Sequence, residues 1–294
     1  MNRGTGWVVI VATMAVAAAG GWIAHRAGES GTAPAAAGTA RPKPRATGIR
    51  ERQAREALFA ELQPVKLLNC DLARYGETHD GGYLVCKNLL GDVRSAYSYG
   101  ISGYDGWGCA ISTELSVPVH QYDCFNTTRP SCPGGRPVFH PECIAGARST
   151  DAEGRLFDSL QSQFDKNGDA RKHVIVKMDV EGAEWQSIEK TPDEVLNRID
   201  QLIFEFHGFD RDSTLYFTVI AKLKRLFEVA HLHFNNHACV SGGAPFPAWA
   251  YEVTFVNKRL AKPDPSRSKV PLPNPLDAPN NPRSADCQTL PLSH

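Results

Sequence analysis

Two stretches, VIVKMD at Val174–Asp179 and QLIFEFH at Gln201–His207, confine this chain to a narrow set of folds. Each is a nearly unbroken apolar run that closes on titratable residues. A strand exposed on one face alternates polar with apolar side chains. A continuous run marks a strand at the centre of a parallel sheet, covered on both faces.

Five more strand-like runs surround these two: Ala96–Ile101 (AYSYGI), Val117–Asp123 (VPVHQYD), Pro137–His140, Glu228–Phe234 and Tyr251–Asn257 (YEVTFVN). Helical patterns fall at Glu51–Gln63, Trp107–Leu115, Glu153–Phe164, Gly182–Lys190 and Thr214–Phe227. Strands separated by helix-length segments predict right-handed βαβ units and a parallel sheet. Between Phe234 and Tyr251 the chain is rich in Asn, Gly and Pro and lacks helical periodicity. A connection of that kind suits an antiparallel pair, because a parallel pair needs a crossover. The expected fold is therefore α/β and Rossmann-like: seven strands, mostly parallel, the last one reversed, with helices on both faces.

The ends of the chain read differently. Trp7–Ala24 is uncharged and mostly apolar. At about 1.5 Å per residue it just spans a hydrocarbon core of roughly 30 Å. A single-pass membrane anchor within residues 1–27 is the expectation. The alternative is a signal peptide cleaved at the small residues Ala17 and Ala19, which leaves a secreted or periplasmic protein. Arg3 on one side faces Arg26, Arg41 and Lys43 on the other, so the charge rule does not fix the orientation. Residues 28–49 are an Ala/Pro/Gly linker, 50–260 the folded domain, and 261–294 a Pro-rich tail expected to be extended and disordered. With 32 basic and 32 acidic residues the chain has no electrostatic case for a nucleic-acid partner.

Open α/β sheets bind ligands beyond the carboxyl ends of their strands. After AYSYGI comes the turn Gly100-Ile101-Ser102-Gly103, whose small residues let backbone approach a ligand. Asp123 closes the second strand, placed to accept the two hydroxyls of a ribose. The fourth strand ends in Asp179-Val180-Glu181-Gly182-Ala183-Glu184, and the fifth in Glu205-Phe206-His207. Carboxylates are costly at such positions unless solvated, paired or used. Asp179, Glu181, Glu205 and His207 form a candidate cluster. Upstream, Asp80-Gly81-Gly82-Tyr83 is a turn signal before a strand-like GGYLV, either a plain hairpin or a cover over the site.

VIVKMDVEGAEWQSI resembles the hallmark segment of FkbM-type S-adenosylmethionine-dependent methyltransferases, whose fold is the class I methyltransferase sheet. His79-Asp80-Gly81-Gly82-Tyr83, Ser98-Tyr99-Gly100-Ile101 and Val119-His120-Gln121-Tyr122-Asp123 are similar to segments in the group around methyltransferase-like protein 24. The resemblance spans about residues 65–257. It implies cofactor binding by Tyr99, Gly100, Ile101, Ser102, Gly103, Asp123 and Asp179, with Asp179 at the junction with the acceptor. The turn ISGYDGWG departs from the usual G-x-G and carries bulky Tyr104 and Trp107.

Methyl transfer from a sulfonium is an in-line displacement that depends on positioning. The expectation is O-methylation of a small molecule or glycan, with His207 as base or orienter and Asp179 or Glu181 placing the acceptor. No metal ligand is assigned; Mg²⁺ held by these carboxylates is the lesser alternative. Two rival functions stand beside this one. A nicotinamide or nucleotide-sugar enzyme would use the same kind of sheet, and a non-catalytic, secreted binding domain would have lost the chemistry.

Eight cysteines remain. In an oxidising compartment Cys132–Cys143 or Cys124–Cys132 is the expected loop staple, with buried free thiols as the alternative. The spacing lacks the tight C-x₂-C pairs of a zinc site.

Overall fold

The computed structural model describes residues 46–209 and 213–287. The expected anchor at Trp7–Ala24 lies outside the described residues. Among those that are described, no helix is long and apolar enough to cross a membrane.

All seven expected strands form, and they join in one sheet. They are β1 (Ser95–Tyr99), β2 (Pro118–Tyr122), β3 (Arg136–His140), β4 (Val174–Met178), β5 (Ile199–His207), β6 (Phe227–Phe234) and β7 (Ala250–Asn257). Their order across the sheet is β6-β7-β5-β4-β1-β2-β3. β4 pairs parallel with both β1 and β5, while β7 runs antiparallel to both its neighbours. Strand order reverses between β1 and β4, and this switch opens a crevice at their carboxyl ends.

Register assigns the faces. Tyr97, Val176 and Leu202 stand in line across β1, β4 and β5, and so do Tyr99, Met178 and Phe204. These residues share one large core with α1 (Ala46–Glu61), α3 (Leu160–Lys166), α4 (Ala183–Lys190), α5 (Asp193–Leu196) and α6 (Ser213–Leu226). The opposite face carries Ala96, Val119, Ile175 and Ile203. It is covered by Trp107 and Ile111 of α2 (Gly106–Leu115) and by Tyr83 and Val85 of an antiparallel hairpin, Leu72–Gly76 with Gly82–Cys86. Helices therefore flank both faces, but unequally. Each large apolar side chain buried this way contributes about 1.5–3 kcal/mol.

Three expectations are corrected. The helix expected over Glu153–Phe164 is only α3, Leu160–Lys166, started by Ser159 accepting from the Ser162 amide. Upstream, Leu156–Asp158 forms a strand between Glu142–Ile144 and Ser149–Thr150. Gly154 at φ +80° and the Asp151 carboxylate make a turn there, which no helix accommodates.

The Pro-rich segment is not a disordered tail over 261–287. It lies as a strap along the polar side of β6 and β7. There Asp277 meets His231 at 2.7 Å, Asp286 meets His233 at 3.2 Å, and Asn280 donates to Glu252 at 2.7 Å. Those buried strand residues need polar partners, and the Asn and Asp residues of the strap supply them. A scarcity of large apolar residues therefore does not make this segment a free tail; it docks through polar pairs instead.

The staples differ too. All eight cysteines are paired, as Cys70–Cys86, Cys109–Cys132, Cys124–Cys143 and Cys239–Cys287. Neither Cys132–Cys143 nor Cys124–Cys132 forms, because Cys132 reaches back to α2 instead.

Candidate active site

Gly100 leaves β1 with φ +71°, and a Cβ there would lie 1.6 Å from the Asp179 carbonyl. Only glycine lets the ends of β1 and β4 approach this closely. The Gly100 amide donates to the Tyr122 carbonyl at 3.0 Å, and the Asp179 amide to the Tyr99 carbonyl at 3.2 Å. Three strand ends are thereby fastened together. Ser102 follows with φ +46°, its amide donating to Asp123 Oδ2 at 2.8 Å. Asp123 Oδ1 accepts from the amides of Phe125 and Asn126. Three backbone donors fix the carboxylate, and one lone pair of Oδ2 stays available for a ligand hydroxyl.

These residues wall a cavity of about 340 Å³, within the size range of small-ligand pockets. Tyr99, Gly100, Ser102, Asp123 and Asp179 line it, as does Glu181. Ile101 and Gly103 do not: Ile101 is buried away from the cavity, and Gly103 abuts the Asn126 side chain. Phe125 and Phe157 complete the wall, and neither was expected from the sequence. Phe125, two residues past Asp123, was within reach of that reasoning; Phe157 falls in the segment expected to be helical.

Behind the same wall lies a second, polar cavity of about 570 Å³, lined by Asp80, Glu205, His207, Asn235 and Trp249 among others. Asp179 and Glu181 line both cavities. Like Ser102, Glu181 is a non-glycine residue with positive φ, at +56°. Strain of this kind persists where the surrounding structure imposes it, and it gathers at functional sites.

His207 is fastened twice to α4. Its carbonyl accepts from Trp185 Nε1 at 2.9 Å, and its Nδ1 pairs with Glu184 Oε1 at 3.1 Å. Glu184 is fully buried and also accepts from the Val180 amide. This turns Nε2 toward Asp179, Glu181 and Glu205, at 3.9, 3.6 and 3.7 Å. Burial works against a charged imidazole here, but the Glu184 hydrogen bond and the surrounding carboxylates outweigh it and push the His207 pKa up to about 9. Burial, then the Asp179 and Glu252 charges, push Glu205 up to about 8. With Nδ1 held by Glu184, Nε2 is the ring nitrogen left facing the second cavity.

Lys177, buried in β4, gives no sign in the sequence of belonging to the site. Its Nζ donates to Asp179 Oδ2 at 3.2 Å and to the Tyr99 and Gly100 carbonyls. Burial opposes its charge, and the nearby Asp179, Asp105 and Glu205 more than restore it. The Tyr83 ring sits over this ammonium and its hydroxyl reaches Asp179 Oδ2 at 3.4 Å, so the hairpin both packs on the sheet and touches the site. Tyr83 follows the DGG turn, in the segment expected from the sequence to be either a plain hairpin or a cover over the site.

Asp105, ahead of α2, accepts from the Gly108 amide at 2.8 Å and from Ser98 and Gln121 side chains. A carboxylate thus occupies the amino terminus of the first helix after β1. No protein-family model matches the chain, and no curated protein matches it.

Proposed function

We propose that this protein is a methyltransferase using S-adenosylmethionine, and more particularly one that methylates an oxygen of a small molecule or glycan. The observation that carries the reading is the charge of the 340 Å³ cavity. Asp123, Asp179 and Glu181 line it with no lysine or arginine among the lining residues, and Asp105 caps the first helix after β1. A dinucleotide or nucleotide sugar brings a pyrophosphate, which seeks free N–H groups at that terminus. Here it meets carboxylate. A sulfonium cofactor brings a positive charge and a ribose, which such a wall accommodates. The strand order and the reversed β7 also fit the class I methyltransferase sheet that the FkbM-like segment implies.

The wall shared by the two cavities suits a donor on one side and an acceptor on the other. Asp123 and the Gly100–Ser102 turn would hold the cofactor, which would supply an electrophilic methyl group, and Asp179 would place an acceptor oxygen beside it. His207, fixed by Glu184, orients the acceptor. The proton of a hydroxyl acceptor would pass to a carboxylate of the second cavity; a carboxylate acceptor needs no base. Four disulfides favour an oxidising compartment for the folded domain. Together with the apolar run at Trp7–Ala24 this supports a membrane-tethered protein whose domain lies outside the reducing cytosol.

Calorimetric titration of the oxidised, full-length chain with S-adenosylmethionine, S-adenosylhomocysteine and NAD tests the reading. Binding of both adenosyl compounds, abolished by Asp123→Ala, is expected. Binding of NAD alone makes the chain a nicotinamide enzyme, and binding of none makes it a non-catalytic domain.

A further inference from the structure

We propose that Asp179, Glu205 and His207 form a site for a first-row divalent cation, such as Mn²⁺ or Zn²⁺, on the floor of the second cavity. One ligand atom from each lies within 4.8 Å of the others. The cluster is more than a gathering of acids, because each member is held with one atom turned inward. Asp179 has Oδ2 engaged by Lys177 and Tyr83, which leaves Oδ1 toward His207. Glu205 Oε1 is steadied by the Asn235 side-chain amide at 2.9 Å.

The imidazole supplies the independent observation. The His207 side chain is 4% exposed. Its Nδ1 is tied to buried Glu184, while its Nε2 faces three carboxylates at 3.6–3.9 Å, beyond hydrogen-bond length. A carboxylate behind one ring nitrogen, with the other nitrogen aimed at further carboxylates, is the arrangement that fixes the tautomer of a metal-ligating histidine, and the ion takes the place of the Nε2 proton, which is released to solvent. An ion about 2.1 Å from each ligand sets ligand–ligand spacings near 3.0–3.5 Å, so small rotations suffice to close the site. One nitrogen and two oxygens favour Mn²⁺ or Zn²⁺ over Mg²⁺, which prefers oxygen alone. The remaining coordination positions face the cavity, where water or an acceptor oxygen enters. That last use rests on the methyl-transfer reading; binding of the ion does not.

The test is titration of the chelator-treated, full-length protein with MnCl₂, following the loss of the free Mn²⁺ resonance signal. One Mn²⁺ per chain is expected, displaced by Zn²⁺ but not by comparable Mg²⁺. Glu205→Gln should weaken it at least ~10-fold, and Glu184→Gln, which touches no ion, roughly 10–100-fold. Each variant is compared only after its near-ultraviolet dichroism matches the parent. Should the parent bind neither Mn²⁺ nor Zn²⁺, the site does not exist. The proposal fails equally if natively folded Glu205→Gln and Glu184→Gln both bind like the parent. The parent measurement decides the question even where a variant fails to fold. Loss of S-adenosylmethionine binding with Mn²⁺ binding intact would sink the methyl-transfer reading alone.

Discussion

Replacing both Cys239 and Cys287 by serine removes the bridge between the far end of the strap and the connection that joins β6 to β7, while leaving the strap's polar contacts in place. The bridge closes a loop of 48 residues, the longest of the four. Loop-closure entropy for that length gives a loss of roughly 4 kcal/mol at 25 °C. Domains have only about 5–15 kcal/mol of stability in all, so the change is large. Urea unfolding followed by tryptophan fluorescence measures it. With a slope of about 2–3 kcal/mol per molar, the midpoint should fall by roughly 1.5 M. His231–Asp277, His233–Asp286 and the Asn236 contacts to residues 281, 284 and 285 keep the strap docked in the folded variant. The slope should therefore stay near that of the parent. A midpoint shift equivalent to less than about 1 kcal/mol would show that the bridge adds nothing the polar contacts do not, and would falsify the argument from loop length.

Two further outcomes are expected. Burial opposes the charge on His233, but the hydrogen bond to Glu252 and the Glu252, Asp277 and Asp286 charges push its pKa up to about 9. A raised folded value means its stabilisation is complete below about pH 6.5 and is lost as pH climbs through 9, worth up to ~3 kcal/mol. Urea midpoints should drop between pH 6 and pH 9.5 (about the two sides of that window), and His233→Gln should flatten the drop; an unchanged drop in that variant refutes the assignment. Gly100→Ala forces a side chain into the left-handed region and against the Asp179 carbonyl, costing at least ~1–2 kcal/mol. The same variant should lose S-adenosylmethionine binding by calorimetry, and retention of parent affinity would contradict the close approach described at β1 and β4.

How much could be read from residues alone differs by layer. The seven strands and the reversal of the last were legible because VIVKMD and QLIFEFH are continuous apolar runs and the NNHACVSGGAPFP connection cannot form a crossover helix. Gly100, Asp123, Asp179 and His207 were legible because they end strands, and position along a strand is a local property. The partnership of Lys177 with Tyr83 was not, since it joins a hairpin to a strand nearly a hundred residues away. The polarity of β6 and β7 left His231, His233 and Glu252 visible as letters without hinting that Asp277, Asn280 and Asp286 would answer them. Disulfide pairing failed for the same reason: Cys109 and Cys132 meet because α2 folds over the sheet, which spacing does not encode.

The partition formed by Asp179 and Glu181 sets a rule for anyone mutating this protein. Because each lines two chambers at once, a substitution at either one reshapes both in a single step. Phe157 touches only the smaller chamber and Asn235 only the larger. Substitutions at that outer pair are the ones whose effects can be read separately.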